Sequence, residues 1–277
     1  MPPQLNAYFG LKWNPFSPDV PSQALWLSPA LEHFCRRMDN VSRQGGFALI
    51  SGEPGTGKSV ALRLLHRHLS GATDLTVAVL TRPQSRLADF YRELGQLFGL
   101  SLAHHNRWAG FQSLREKWRQ HIHSTCMRPV LLVDEAQEMH SPVLAELRLL
   151  QSADFDSRSL LTVILCGDMR LSESFLHPDL LPIASRIQVR LLMEAQSPEA
   201  LREYLLFCLQ QAGNAHLLTP ELMTTLCEHA AGNYRLLQHM ANDLLAVALQ
   251  RELAQLDEKL YIEVFSKVTR PRGPVRS

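Results

Sequence analysis

The sequence predicts a parallel α/β fold that carries a phosphate-binding loop, followed by a small all-helical unit. Three observations lead to this fold class. The segment Gly52–Ser59 (GEPGTGKS) fits the pattern G-x-x-x-x-G-K-[ST]. Apolar runs of strand length alternate with helical segments up to about residue 192, which is typical of a parallel sheet. From Ser197 to Val268 the apolar spacing is helical and no strand is predicted.

The glycine-rich loop lies between an apolar run at residues 46–51 and a helical segment that begins near Val60. In this order, the backbone N–H groups of the loop and the helix N-terminus face phosphate oxygens, a lysine reaches the β- and γ-phosphates, and a hydroxyl binds Mg²⁺. The sequence therefore predicts a nucleoside triphosphate and Mg²⁺ as ligands. The predicted nucleotide contacts here are Gly52, Glu53, Pro54, Gly55, Thr56, Gly57, Lys58, Ser59 and Val60.

A second motif follows the third predicted strand. The apolar run Val130–Val133 ends in Asp134 and Glu135, so both carboxylates reach the edge where open α/β sheets bind ligands. We expect Asp134 and Ser59 to order Mg²⁺, and Glu135 to polarise the attacking water. Five parallel strands are predicted in all, at residues 46–51, 75–80, 130–133, 160–165 and 188–192.

The remaining chain divides as follows. Residues 1–44 are predicted to be an extended segment and a helix that starts at Ser28-Pro29, packed on the core. Within them, Asn14, Pro15 and Phe16 either line the base end of the nucleotide pocket or only cover the core. Residues 99–110 are predicted to be irregular. The core is placed at residues 45–192, a helical domain at residues 193–268, and a flexible basic tail at residues 269–277.

Composition limits the function classes. The formal net charge of the 277 residues is +1, so the chain as a whole is not a polycation. The five cysteines are scattered and form no C-x-x-C pair, which indicates reduced packing residues. No signal peptide and no membrane span is predicted. These features predict a cytoplasmic protein that does not enter a membrane.

The order of these motifs resembles the AAA+ ATPases, with a three-layer core and a helical lid. The segments YFGLKWNPF, GGFALISGEPGTGKS, VLLVDEAQEM and GNYRLLQHMANDLL are similar to the ExeA-type branch. That branch includes the TniB, TnsC and MuB-like transposition ATPases and a secretion-associated membrane protein. The resemblance spans roughly residues 6–265.

The resemblance implies roles for further residues. Arg235 in GNYR matches the lid arginine, called sensor 2, that contacts the γ-phosphate within one subunit. Arg186 matches the arginine finger that a subunit offers to its neighbour's nucleotide, and Arg190 is the alternative. Asp168 stands where the family places a neutral polar sensor 1. A carboxylate there would repel a triphosphate unless it ordered water or a basic neighbour.

The resemblance further implies an ATPase that assembles as a ring or helical filament on duplex DNA and recruits or activates a transposase. The secretion-type relatives carry a membrane span and a cell-wall-binding domain after the lid, and the lack of both here favours the transposition type. A helicase loader and a secretion or signalling switch acting on protein remain alternatives. Backbone contacts that do not read the DNA sequence are expected. The candidates are Arg82, Arg86, His105, Arg107, Lys117 and Arg119.

Overall fold

The computed structural model describes residues 2–102 and 107–265. The described residues form two compact units, one that holds residues 27–193 and one that joins the residues up to Trp26 to those from Glu194 onwards. The predicted contact His105 and the predicted basic tail at residues 269–277 lie outside the described residues.

The first unit, residues 27–193, is built on a five-stranded parallel sheet, as predicted. Its strands are β1 (Gly46–Gly52), β2 (Leu75–Leu80), β3 (Arg128–Val133), β6 (Thr162–Gly167) and β7 (Ile187–Met193), and a separate antiparallel pair is formed by β4 (Ser152–Ala153) and β5 (Arg158–Ser159). The strand order in the sheet is β2-β3-β6-β1-β7. Strand β1 therefore lies between β6 and the edge strand β7.

Helices cover both faces of this sheet, which gives three layers. Alternate residues of one strand enter two different cores, because successive side chains of a strand point to opposite faces. Phe47 and Leu49 belong to one core, whereas Ala48 and Ile50 belong to the other. The helices of the unit are α2 (Pro29–Gln44), α3 (Lys58–Ser70), α4 (Leu87–Leu97), α5 (Arg107–Thr125), α6 (Ser141–Gln151), α7 (Met169–Ser174) and α8 (Leu181–Ala184), with a short 3₁₀ turn at Ala136–Glu138.

The second unit is helical and has its own core, which includes Phe9, Phe16 and Leu201. Two of its helices begin where a capping residue precedes a proline: the hydroxyls of Ser197 and Thr219 accept the N–H groups of Ala200 and Leu222. The elements are α1 (Pro2–Phe9), a 3₁₀ turn (Ser22–Ala24), α9 (Pro198–Ala212), α10 (Pro220–His229), α11 (Tyr234–Gln250) and α12 (Glu258–Phe265).

Three local predictions differ from the structure. The N-terminal segment was expected to be extended, but Pro2–Phe9 is a helix, because prolines in the first turn of a helix displace no hydrogen bond. Residues up to Trp26 cluster with the helical unit, whereas α2 clusters with the sheet. The irregular segment predicted at residues 99–110 is shorter, since α5 begins at Arg107.

Candidate nucleotide-binding site

The phosphate loop connects β1 to α3 at the carboxyl edge of the sheet. Gly55 and Gly57 have φ angles of 85° and 96°, in the left-handed region that glycine enters without steric cost. A Cβ atom on Gly52 would collide with the backbone carbonyl of Met193 on the neighbouring edge strand. The local backbone therefore requires glycine at these three positions.

Lys58 is turned into the loop. Its side chain is buried, and Nζ donates to the carbonyl oxygens of Gly52 at 2.9 Å and Glu53 at 3.0 Å. The hydroxyl of Thr56 also donates to the Glu53 carbonyl, at 2.8 Å. An ammonium group has three hydrogens, so one stays available for a phosphate oxygen. Ser59 is exposed in the first turn of α3, where its hydroxyl is accessible.

The two carboxylates after β3 occupy different environments. Asp134 is half-buried, and its Oδ1 accepts the backbone N–H of Glu135 at 2.9 Å. The thiol of Cys166, near the end of the adjacent strand β6, also interacts with Asp134. Burial and, secondarily, the negative charge of Asp134 raise the pKa of Cys166, so the thiol stays protonated. Glu135 is exposed and has a φ of 50°, which is uncommon for a residue with a side chain.

The oxygen donors at this edge fit Mg²⁺. A magnesium ion bound beside substrate phosphates takes one or two protein oxygens and keeps several waters. The Ser59 hydroxyl and the Asp134 carboxylate supply such oxygens, one from the start of α3 and one from the end of β3. The described residues contain no group of three or more His, Cys, Asp or Glu side chains that would form an all-protein metal cage.

Asp168 has a basic neighbour that the sequence did not identify. Its carboxylate caps α7 by accepting the backbone N–H of Arg170 at 2.9 Å, and it also accepts Nε of Arg170 at 2.9 Å. The same guanidinium donates to Glu138 at 3.0 Å. The side-chain hydrogen bond from Arg170 lowers the pKa of Asp168. The negative charge of Asp168 is thereby balanced within the unit.

Gln137 is the second unpredicted residue at this edge. Its amide contacts both the Glu135 carboxylate and the backbone N–H of Asp168. Both residues lie close in sequence to a predicted site residue: Gln137 follows Glu135 by two positions, and Arg170 follows Asp168 by two. The need for a cation near Asp168 was a signal that could have found Arg170, whereas no physical rule applied to the sequence could have found Gln137.

Arg186 lies at the opposite edge of the sheet, the amino edge, where the amino ends of the parallel strands meet. It precedes β7, whose first residue Ile187 is in register with Phe47, while the last residue of β7 is in register with Gly52. Five residue steps along β1 correspond to about 17 Å. The guanidinium is paired with Asp156, which lies between β4 and β5, and it also donates to the Pro182 carbonyl. The alternative finger, Arg190, donates to the Ala184 carbonyl at 3.2 Å.

The helical unit contains the remaining predicted nucleotide contacts. Arg235 is exposed in the first turn of α11, which Asn233 caps by accepting the Leu236 N–H at 3.1 Å. Asn14 donates to Asn242 at 2.8 Å and accepts the Phe16 N–H at 2.9 Å. Phe16 is buried in the core of this unit. The contacts observed for Asn14 and Phe16 are thus internal to the unit, and nucleotide contacts by these residues stay a prediction.

The DNA-binding candidates fall into two groups. Nε of Arg107 donates to the buried Glu146 at 3.2 Å, Lys117 donates to the Gly99 carbonyl at 3.2 Å, and Arg119 lies 3.9 Å from Asp154. Arg82 and Arg86 are exposed after β2, and their side chains form no ion pair with any residue that the structure describes. The second group is the one that is free to meet a phosphate backbone.

Comparison with known proteins agrees with this geometry. Residues 41–175 match the family model of the AAA domain. The matched residues have the fold of an AAA domain. The match assigns ATP hydrolysis to the domain, with ATP and Mg²⁺ as its substrate and cofactor. The chain is also 31% identical over 252 residues to the general secretion pathway protein A of Aeromonas hydrophila. The alignment covers 88% of this chain and 45% of that protein, so the chain spans less than half the length of this relative.

Solved structures share the fold at low identity. The Drosophila origin recognition complex bound to DNA matches with a TM-score of 0.71 and 17% identity, over 97% of this chain and 66% of that one. The Aeropyrum pernix ORC1 protein in complex with DNA matches with a TM-score of 0.69 and 15% identity, over 92% and 68%. These likenesses support the AAA fold.

Among the described helices, none has the length and apolar character needed to cross a bilayer.

Proposed function

We propose that this chain is an AAA+ ATPase whose hydrolysis depends on assembly, because each nucleotide site is completed by Arg186 of a neighbouring subunit. The observation that carries the proposal is the position of Arg186. It precedes β7 at the amino edge of the sheet, whereas the phosphate loop and Glu135 follow β1 and β3 at the carboxyl edge. An arginine about 17 Å along the sheet from Gly52 cannot reach a triphosphate held by its own loop, since an extended arginine side chain spans far less than five residue steps of a strand.

In this proposal each residue has a separate task. The loop N–H groups and Lys58 bind the β- and γ-phosphates, and Ser59 and Asp134 hold Mg²⁺, which supplies charge neutralisation between the phosphates. Glu135 orients and polarises the attacking water. Arg235 contacts the γ-phosphate from the helical unit, and Arg186 of the neighbour adds positive charge as the transition state forms.

We further propose that the assembly is a ring or helical filament on duplex DNA that recruits or activates a transposase and disassembles on hydrolysis, in the cytoplasm. The exposed cations Arg82 and Arg86 support DNA contact, since they follow β2 and form no ion pair with described residues. Contacts of this kind act on phosphates, so binding should weaken steeply as salt increases.

Electron microscopy with a non-hydrolysable ATP analogue, with and without duplex DNA, tests the proposal. A DNA-encircling ring or helix is the expected result. The variant Arg82→Ala/Arg86→Ala should lower DNA affinity and reduce the salt slope by about two, because each arginine neutralises one phosphate. Monomers under every condition would contradict the proposed assembly. Assemblies that form but do not bind duplex DNA would contradict only the proposed DNA binding.

A second candidate function is an ATPase switch that acts on protein partners in secretion. The 31% identity to the general secretion pathway protein A, over 88% of this chain, favours it. It predicts nucleotide-dependent assembly with no salt-dependent DNA affinity. The same DNA titration therefore separates the two candidates.

A further inference from the structure

Gln137 connects the two strand ends that surround the nucleotide-binding edge. It lies in the 3₁₀ turn Ala136–Glu138, two residues after Glu135. Its Nε2 donates to Oε2 of Glu135, and its Oε1 accepts the backbone N–H of Asp168 at 3.1 Å. One side chain thus joins the carboxylate after β3 to the backbone after β6. Both hydrogen-bonding ends of the amide are used.

The end of β6 is shaped to admit this amide. A Cβ atom on Gly167 would lie 2.5 Å from Oε1 of Gln137, 2.9 Å from Cδ2 of Leu171 and 3.3 Å from the Gln137 backbone nitrogen. The φ of Gly167 is not in the left-handed region, so backbone freedom does not explain the glycine. What the position requires is space, and the Gln137 amide and the Leu171 side chain share that space.

Glu135 itself needs support. Its φ of 50° lies in a region that costs residues with a Cβ free energy, and such conformations persist where surrounding contacts determine them. The neighbouring carboxylate of Asp134 fixes the backbone N–H of Glu135, and Gln137 fixes its side chain.

We propose that Gln137 is a positioning residue for ATP hydrolysis that holds the Glu135 carboxylate in register with the end of β6. The proposal rests on the role of Glu135 given under Proposed function. An amide donor carries no net charge, so it orients Oε2 of Glu135 without forming an ion pair, and the other carboxylate oxygen stays available to accept a proton from water. A cation at the same place would instead bind the carboxylate as a salt bridge and reduce its ability to act as a base.

Two substitutions of similar size separate the two ends of the amide. Gln137→Met removes both contacts. Gln137→Glu keeps an oxygen that can accept the Asp168 N–H but removes the donor to Glu135 and places two carboxylates together. We expect both variants to lower kcat by about 10- to 100-fold, the range found when a residue that orients a reactive group is replaced. ATP affinity and KM should stay within about twofold of the wild type, and the thermal midpoint within a few degrees.

Gln96→Met is the matched control, because Gln96 is exposed on α4, a helix that carries none of the site residues. All variants are assayed as the full chain at saturating protein concentration. Unchanged kcat in both Gln137 variants would overturn the proposal. So would a loss of ATP affinity or of thermal stability that parallels the loss of kcat, or a loss in Gln137→Met that Gln137→Glu does not share.

Gly167→Ala gives an independent measurement. The added methyl group should displace the Gln137 amide and lower kcat in the wild type. It should lower kcat less in a Gln137→Ala background, where only its contact with Leu171 remains. Full additivity of the two substitutions would contradict a shared mechanism. Glu135→Gln is measured in parallel: if Glu135→Gln retains full turnover, the role of Glu135 fails, whereas loss of turnover in Glu135→Gln with normal Gln137 variants means that only the positioning role fails.

Discussion

The two edges of one parallel sheet differ in how their functional residues are encoded. At the carboxyl edge, Gly52–Ser59 and Asp134–Glu135 are contiguous segments, and each residue is fixed by the backbone that it belongs to. At the amino edge, Arg186 is held by Asp156, thirty positions away in the sequence. The motif residues of the first edge can therefore be predicted from local sequence, whereas the pairing of Arg186 with Asp156 requires the tertiary structure.

The largest expected effect comes from the phosphate loop at the carboxyl edge. Lys58→Ala should abolish ATP binding and nucleotide-dependent assembly, because the buried ammonium group is the cation that we propose binds the β- and γ-phosphates. Nucleotide binding and light scattering measure this effect. Wild-type ATP affinity in Lys58→Ala would exclude that role for the lysine.

Glu135→Gln tests the second motif of the same edge. It should retain ATP binding and assembly while lowering kcat by about 10²- to 10⁴-fold, the usual contribution of a general base. Turnover and the rate of disassembly after ATP addition measure the change. Equal disassembly rates for Glu135→Gln and the wild type would exclude Glu135 as the water-polarising residue.

Arg186→Ala tests the amino edge. It should leave nucleotide binding unchanged and lower kcat by about 10³-fold or more, as expected for loss of an arginine finger. Arg190→Ala is the control on the adjoining strand β7, and it should have a much smaller effect. Full turnover in Arg186→Ala, or the larger loss in Arg190→Ala, would assign the finger elsewhere.

Arg107 offers a contrast with both edges, because its predicted DNA role competes with an observed internal contact. Its guanidinium pairs with Glu146, whose side chain is only 3% exposed. Arg107→Ala should lower the free energy of unfolding by about 1–3 kcal/mol, since the buried carboxylate loses its charged partner and keeps the Tyr91 hydroxyl as a donor. Chemical denaturation measures this, with Arg82→Ala as an exposed control. If Arg107→Ala weakens DNA binding without any change in stability, the DNA role takes precedence over the contact with Glu146.

The smallest effect concerns the Arg186–Asp156 pair. Release of the guanidinium by Asp156→Asn should lower the protein concentration at half-maximal ATPase activity by no more than about fivefold, because exposed ion pairs contribute at most about 1 kcal/mol. Asp154→Asn, on the same turn, removes contacts to Arg158 and Arg119 instead and serves as control. A higher half-maximal concentration in Asp156→Asn would show that Asp156 supports the finger and does not restrain it.

Much of the fold followed from local patterns. The glycine-rich loop between a strand and a helix, and the apolar run before Asp134, each extend over a few residues. The helix Pro2–Phe9 was not predicted, although prolines in the first turn of a helix displace no hydrogen bond. Gln137 and the Arg186–Asp156 pair could not be predicted, since each depends on strand ends or turns that meet only in the folded unit.

The central claim, that each site is completed by a neighbour's Arg186, has a direct test by mixing. Arg186→Ala subunits carry an intact phosphate loop and Glu135, whereas Glu135→Gln subunits carry an intact Arg186. Each variant alone should be inactive, and mixtures should recover turnover with a maximum at an intermediate ratio. Mixtures of Arg186→Ala with the double variant Glu135→Gln/Arg186→Ala should stay inactive. Recovery in the first mixture alone is the predicted result, and no recovery at any ratio, with assembly intact, would contradict the account.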